Sequence, residues 1–259
     1  MSERRTRGYV LTMLLASVAL GSCATTRHGY LLHTEWDQAG HYARYCPNTS
    51  RAGCWSTAFA QILYFHGKTP TGAVSYETTN GYGIDENLDA YDIEFSLFSN
   101  TVSNETEPES RDQVARYLYL TSVVLQKDFD TGLYHTVRNV FRNGIWTIDT
   151  AHAIRNLEAH YAVQVTAFEY TADDFSAKRV EMRELIEHEL DSRRPLMLYT
   201  QADNNGHAAV IDGYDEKDGK FYVHINQGAG GYGNGWYDFF EPIASRIDDL
   251  SYRVLFTVR

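Results

Sequence analysis

The chain has 259 residues, with 34 acidic and 23 basic side chains, ten histidines and three cysteines. Its 43% hydrophobic and 22% charged content is that of an ordinary globular protein, which excludes disorder as the main state and leaves room for one or two domains. A net charge of −11 argues against nucleic acid as a partner, because phosphate binding needs a basic face, and three cysteines are too few for a disulfide scaffold. The 19 tyrosines suggest a wet, aromatic-rich surface or groove.

Residues 1–22 read as an export signal. Arg4, Arg5 and Arg7 form a positive start, and Val10 to Leu20 is an apolar run too short to span a bilayer comfortably. Leu20-Gly21-Ser22-Cys23 resembles the lipobox of bacterial lipoproteins. That resemblance implies that Cys23 is diacylated and becomes the new N-terminus, anchoring the protein in the bacterial cell envelope at the outer membrane or cell surface. Loss of residues 1–22 removes Glu3 and the three arginines, leaving 33 acidic and 20 basic residues and a net charge of −13. Residues 23–33 read as a tether, and 34–259 as one domain.

Trp36 to Pro47 is polar and irregular, and reads as an extended lead-in. Trp55, Ala58, Phe59, Ile62, Leu63 and His66 recur at helical spacing and predict an amphipathic helix ended by Gly67 and Pro70. Residues 70–108, rich in Thr, Asn, Gly and acidic side chains, predict a long surface excursion with few regular elements. Helices are expected at 109–127, 131–143 and 150–161, and a strand at Val163–Tyr170. Met182, Leu185, Ile186 and Leu190 mark a helix that ends before Pro195. Strands are expected at Leu196–Thr200, Ala208–Tyr214, Phe221–Asn226, Trp236–Phe240 and Tyr252–Val258, with a hairpin turn at Asp218-Gly219. Helices first and strands last argue an α+β fold.

Cys54 follows Gly53 and opens the first helix. A thiol there feels the positive end of the helix dipole and its unpaired N–H groups, which favour the nucleophilic thiolate and suit an oxyanion. Position alone equally allows a buried structural cysteine. A nucleophile needs a base, and His207 stands out among the histidines, at the mouth of the strand Ala208-Ala209-Val210-Ile211-Asp212-Gly213. A hairpin turning at Asp218-Gly219 would return Asn226 beside His207, where its amide oxygen could fix the imidazole tautomer. No His-Glu-x-x-His or paired Cys-x-x-Cys motif exists, so neither a metal nor another cofactor is expected.

These features resemble the streptopain family of papain-like cysteine peptidases. Trp36-Asp37-Gln38, Tyr42 and Cys46-Pro47 are similar to its first segment (Trp-x-Gln, Pro-Tyr-Asn, Cys-Pro). Gly53-Cys54-Trp55-Ser56-Thr57-Ala58-Phe59-Ala60-Gln61-Ile62 is similar to its nucleophile helix, Gly206 to Tyr214 to its histidine strand, and His224-Ile225-Asn226 with Gly228, Gly230 and Gly231 to its glycine-rich segment. The likeness spans about residues 34–258, its middle supported by the order of elements alone. It implies a two-lobed papain-like fold, with the nucleophile helix in an N-terminal helical part and the histidine on a C-terminal antiparallel sheet. It further implies Cys54 as nucleophile, His207 as general base and then acid, and Asn226 as its orienter. Gln38 would donate to the oxyanion together with the Cys54 N–H. Asn48, six residues before Cys54 where papain itself carries its oxyanion glutamine, is the second choice. Cys46 would be a buried thiol rather than half of a disulfide masking Cys54. The activity implied is hydrolysis of protein or peptide substrates through an acyl-enzyme.

Two departures from the family bear on function. Gln227 and Ala229 stand where the family has tryptophans, the first of which shields the His–Asn bond from water. The glutamine is expected to leave that bond wetter and weaker, with Trp236 the nearby aromatic that could compensate. Gly228, Gly230, Gly231, Gly233 and Gly235 read as a mobile flap. Only 31 positions separate Cys23 from Cys54, too few for an inhibitory pro-domain, which implies control by a separate protein inhibitor or by confinement. Rival readings are a degenerate peptidase fold serving adhesion or binding as a lipoprotein, and another thiol hydrolase or acyltransferase such as an amidase.

Overall fold

The computed structural model describes residues 29–129, 136–142, 145–202, 205–243 and 252–259. The export signal, Cys23 and most of the tether lie outside the described residues. The elements run α1 (Cys54–Phe65), β1 (Ala73–Glu77), β2 (Gly83–Asn87), α2 (Pro108–Val124), β3 (Asn139–Arg142), β4 (Ile145–Ile148), α3 (Thr150–Tyr161), β5 (Val165–Thr171), α4 (Asp174–Ala177), α5 (Arg179–Asp191), β6 (Leu196–Ala202), β7 (Asn205–Lys217), β8 (Lys220–Asn226), β9 (Gly235–Asp238) and β10 (Tyr252–Val258). The expected mix of helices followed by an antiparallel sheet is what forms.

Six strands build one antiparallel sheet in the order β5-β10-β6-β7-β8-β9. Both of its faces are covered. Met197, Tyr199, Ala208, Val210, Val254 and Phe256 join the core formed with α1, α2 and α3. Their alternates Leu196, Leu198, Ala209, Ile211 and Leu255 join the core formed with α4 and α5. Burial on both sides is why these strands read as unbroken apolar runs. Glu189 of α5 is wholly buried and accepts from Arg194 at 2.7 Å and from Arg259, which fastens the chain's last residue to α5.

α1 is the central helix. The sequence predicts one apolar stripe, whereas every residue from Cys54 to Leu63 is buried, because α2 packs on one side and β7 and β6 on the other. It ends as expected at Gly67, whose φ of +63° lets the Gly67 and Lys68 N–H groups bond back to Tyr64 O and Leu63 O.

Four expectations are corrected. In the described part of the 131–143 stretch, residues 139–142 form β3, paired antiparallel with β4, instead of a helix. The Asn143-Gly144 dipeptide between them is the overlooked hairpin signal. The 70–108 excursion contains a second hairpin, β1 with β2, in which only Val74 and Ile84 are buried, too weak a pattern to read. The lead-in from Trp36 to Pro47, read as polar and irregular, opens on a core residue, Trp36. It is fully buried, stacked on Tyr64 and flanked by Phe98 and Tyr117. Many tyrosines, too, are core residues rather than groove lining. Tyr117, Tyr161 and Tyr170 are fully buried, and the Tyr161 hydroxyl meets Thr121 Oγ1 at 2.7 Å. A phenol can bury its ring provided its tip finds a partner.

Candidate active site

The nucleophile end of α1 is set by Gly53, whose φ of +92° and ψ of 154° suit glycine and turn the chain directly into the helix. The Thr57 N–H and hydroxyl both donate to Gly53 O at 3.0 Å. Cys54 is the first helical residue and is 3% exposed. The N–H groups of that first turn have no partner within the helix. Ala52 is held from two sides: its N–H donates to Gln38 O at 2.8 Å, and its carbonyl accepts from Ser122 Oγ at 3.2 Å. Gln38 is thus bound by its main chain beside the start of α1. The Asp37 carboxylate fixes the turn by accepting from the Gln38 and Ala39 N–H groups. Asn48 is exposed on the 3-10 turn Pro47–Thr49 with φ of +54°.

His207 lies on β7 opposite Thr200 and is 7% exposed. α1 packs across β7. Trp55 rests edge-on against Tyr199 at 5.0 Å, and Tyr199 is the cross-strand partner of Ala208, the residue after His207. Nε2 of His207 sits 3.0 Å from the main-chain carbonyl of Gln227. A carbonyl only accepts, so Nε2 carries the proton and Nδ1 is the lone-pair nitrogen of the neutral ring.

The expected bond from Asn226 to His207 is not made. A β-bulge between Ile211 and Gly213 shifts the β7–β8 register, so that Asn226 faces Val210. Its amide instead forms a reciprocal pair with Gln61 of α1, Nδ2 to Oε1 at 3.2 Å and Nε2 to Oδ1 at 3.4 Å. Nδ2 also donates to Thr34 O at 2.5 Å, and Oδ1 accepts from the Gly228 N–H at 3.1 Å. Gln61, fully buried, further accepts from Thr34 Oγ1 at 2.8 Å. Sequence reasoning passed over this hub. Its signal was a glutamine inside a helix otherwise lined with apolar residues.

The glycine-rich segment is pinned rather than a free flap. Asp37 and Ala229 form a bridge, Gly230 N–H donates to Trp36 O at 3.2 Å, and Gln227 N–H donates to Asn234 Oδ1 at 2.8 Å. Gly231 has a φ of +83°, a left-handed backbone that favours glycine, and it lies beside the Glu35 carboxylate. Glu35, Asp37, His41, Tyr42 and Gly230 line a shallow pocket of about 310 Å³ beside Gln38. Gln227 is 1% exposed, and neither of its side-chain amide atoms has a hydrogen-bond partner among the described residues. Trp236 does not replace the missing indole: it stands edge-on to His224 at 5.3 Å and is 41% exposed.

Cys46 and Cys54 are both buried thiols. Burial pushes the Cys46 thiol up to about 12, against a smaller opposing pull from the Lys127 ammonium. That direction disfavours the Cys46 thiolate at neutral pH.

Comparison with known proteins gives a consistent picture. The profile of the Peptidase C10 family matches residues 36–237. Streptopain of Streptococcus pyogenes is 25% identical over 205 residues, covering 74% of this chain and 47% of streptopain, so the chain spans about half the length of that curated relative. Streptopain from a serotype M3 strain gives the same figures. The fold is similar to that of active wild-type interpain A, a cysteine protease of Prevotella intermedia. The TM-score is 0.67 at 19% identity, over 88% of this chain and 93% of that one. A prointerpain A fragment from the same organism gives a TM-score of 0.65 at 20% identity, over 89% of this chain and 71% of that one.

Proposed function

The chain belongs to the Peptidase C10 family, and on that premise we propose that it is a cysteine endopeptidase with Cys54 as nucleophile and His207 as its general base. The observation that carries this reading is the Gln227 carbonyl on His207 Nε2. It fixes the tautomer in which Nδ1 can accept a proton.

In the proposed cycle, Cys54 Sγ–H gives its proton to His207 Nδ1. The thiolate attacks the scissile carbonyl carbon, and the C=O π electrons move to oxygen. The Cys54 N–H and the Gln38 side-chain amide receive that oxyanion. Collapse breaks the C–N bond, and the imidazolium protonates the departing amine. Water, deprotonated by His207, then releases the acyl group from Cys54. Asn226 serves this cycle at one remove, by holding the segment that carries Gln227. The substrate is a protein or peptide.

Residues 1–22 and Cys23 support export and lipid anchoring in the envelope as part of this proposal. Incorporation of labelled palmitate, lost in Cys23→Ala, tests the anchor. For the activity, Cys54→Ala should abolish casein hydrolysis. An epoxide that alkylates papain-like thiolates should label Cys54 and spare Cys46, as read by mass mapping. Full activity in Cys54→Ala overturns the assignment.

A further inference from the structure

Five large hydrophobic side chains are exposed among the described residues, and two of them, Tyr30 at 47% and Trp236 at 41%, stand together. They meet on His224. The Tyr30 ring stacks on the imidazole at 4.3 Å, and the Trp236 indole stands edge-on to it at 5.3 Å. Gly213 lies between them: a Cβ built there would be 3.1 Å from Trp236 Cη2 and 3.2 Å from Tyr30 Cα. His224 is held in turn by the buried Asp212 carboxylate, Nδ1 to Oδ1 at 2.6 Å. Asp212 also fixes the chain that carries Tyr30. Its carbonyl accepts from the Leu31 N–H at 2.8 Å, and its Oδ2 accepts from the Leu32 N–H at 3.0 Å. The two exposed rings are thus set in place from below by a buried ion pair.

Strand register extends this patch. Gly213, His224 and Trp236 lie abreast on β7, β8 and β9, and two residues further along the same face Asp215, Tyr222 and Asp238 lie abreast. Asp215, Lys217, Tyr222 and Trp236 line an open pocket of about 240 Å³. Lys220, opposite Lys217 at the hairpin tip, bonds Asp238 at 3.0 Å. The four charged groups are two of each sign, so the patch is neutral in sum on a chain whose net charge is −11.

What covers the patch follows from the chain that leads to it. Tyr30 comes seven residues after Cys23, the attachment point of the proposed anchor. Seven residues, even fully extended, reach about 25 Å at most, so acyl chains on Cys23 keep Tyr30 and Trp236 within that distance of the bilayer. Tyrosine and tryptophan suit the headgroup layer, because the ring is apolar while the hydroxyl or N–H stays wet. An anionic leaflet repels an acidic head, and that repulsion is least where the surface is balanced in sign and carries two lysines at its tip.

We propose that the surface formed by Tyr30, Trp236 and the β7–β8 hairpin tip docks on the headgroup layer of the membrane that holds Cys23. The domain then sits in one orientation on the bilayer instead of swinging on its tether. The inference rests on the lipid anchor and is independent of the peptidase reading.

The test uses the lipidated chain in vesicles of phosphatidylethanolamine and phosphatidylglycerol. In one set the acyl chains are brominated next to the headgroup, where bromine quenches nearby indoles; the other set is unbrominated. Wild type should be quenched by the brominated set, and Trp236→Phe should lose about half or more of that quenching. Tyr30→Trp in the wild-type background should add quenching. Tyr82→Trp, at an exposed aromatic between β1 and β2, should add none. Equal quenching in wild type and folded Trp236→Phe overturns the proposal. Should Trp236→Phe not fold, the two added indoles decide: no gain from Tyr30→Trp, or an equal gain from Tyr82→Trp, overturns it. Labelled palmitate is counted on the same samples. Label without quenching at Trp236 overturns the docking alone, whereas absence of label overturns the anchor and the docking together. Neither result bears on Cys54, which Cys54→Ala tests.

Discussion

Replacing Asn226 by alanine separates a strut from a catalytic orienter. The amide of Asn226 is 2% exposed, and its loss strands three partners: Thr34 O, the Gly228 N–H and the Gln61 amide. Each buried group left without a partner costs about 1 kcal/mol, so Asn226→Ala should lose about 3 kcal/mol. At about 2–4 °C per kcal/mol for a domain of this size, the melting temperature should fall by about 6–12 °C. Gln61→Ala breaks the same reciprocal amide pair. The double variant should therefore cost about 1–2 kcal/mol less than the two single losses added together. Urea unfolding measures the energies. The pH profile of peptide hydrolysis measures the site, and its limbs should stay in place, because the Gln227 carbonyl is main chain and survives the change. A melting shift below about 2 °C, combined with a displaced pH profile, would show that Asn226 acts directly on His207 and would refute the reasoning.

Gln227→Leu removes a buried amide that has no partner among the described residues, so stability should rise by about 1–2 kcal/mol while hydrolysis persists; a drop in melting temperature counts against this. Gly228→Ala meets both a φ of +62° and the Thr57 Cγ2 atom 3.2 Å from the new Cβ. It should cost about 1–2 kcal/mol from the left-handed backbone alone, and unchanged urea unfolding would contradict it. Glu189→Gln tests a pH dependence. Burial raises the Glu189 carboxyl, but the bonds and charges of Arg194 and Arg259 outweigh it and leave the group below its ordinary value. A depressed carboxyl stabilises the fold above its unfolded value, about 4.5, and loses that contribution as pH falls through the folded value. The variant should be weaker at pH 7 by about 2 kcal/mol, chiefly through Arg194 because Arg259 is half exposed, and the gap should close in acid. An equal gap at pH 3 and pH 7 would show that the ion pair is not its source.

Legibility in the sequence followed burial. β6, β7, β8 and β10 were readable because both faces of the sheet are covered, which leaves apolar runs with glycine turns between them. α1 was readable from its spacing, although a stripe was expected where the whole helix is enclosed. β1 and β2 were not readable, since each buries a single residue and a polar hairpin differs little from a loop by composition. The helical reading of 131–143 stops at Asn143 and gives no weight to the Asn143-Gly144 turn signal, which hides the β3–β4 pair. The site divides in the same way. Cys54 and His207 stand at places that local pattern marks, a glycine before a helix and the mouth of a strand. The Asn226 contact was a matter of register: counted back from the Asp218-Gly219 turn, Asn226 falls opposite Ile211, and the bulge at Asp212 moves it only to Val210, still three residues short of His207. The arms of unequal length, 11 positions from His207 to Asp218 against seven from Gly219 to Asn226, already carried that signal.

The Gln227 carbonyl also changes what the missing tryptophan means. If a side chain at 226 held the imidazole, the residue after it would have to shield that bond, and a glutamine would admit water. Here the bond to His207 comes from the main chain of residue 227 itself, and a main-chain acceptor is indifferent to the side chain it carries. Nor is the contact wet, with His207 at 7% and Gln227 at 1% exposure. Closure comes from the pinning of residues 226–230 against Trp36, Asp37 and Gln61, which keeps water out without an indole. The departure at 227 therefore falls on stability, through its unpaired amide, and leaves the acid–base geometry of the proposed site in place.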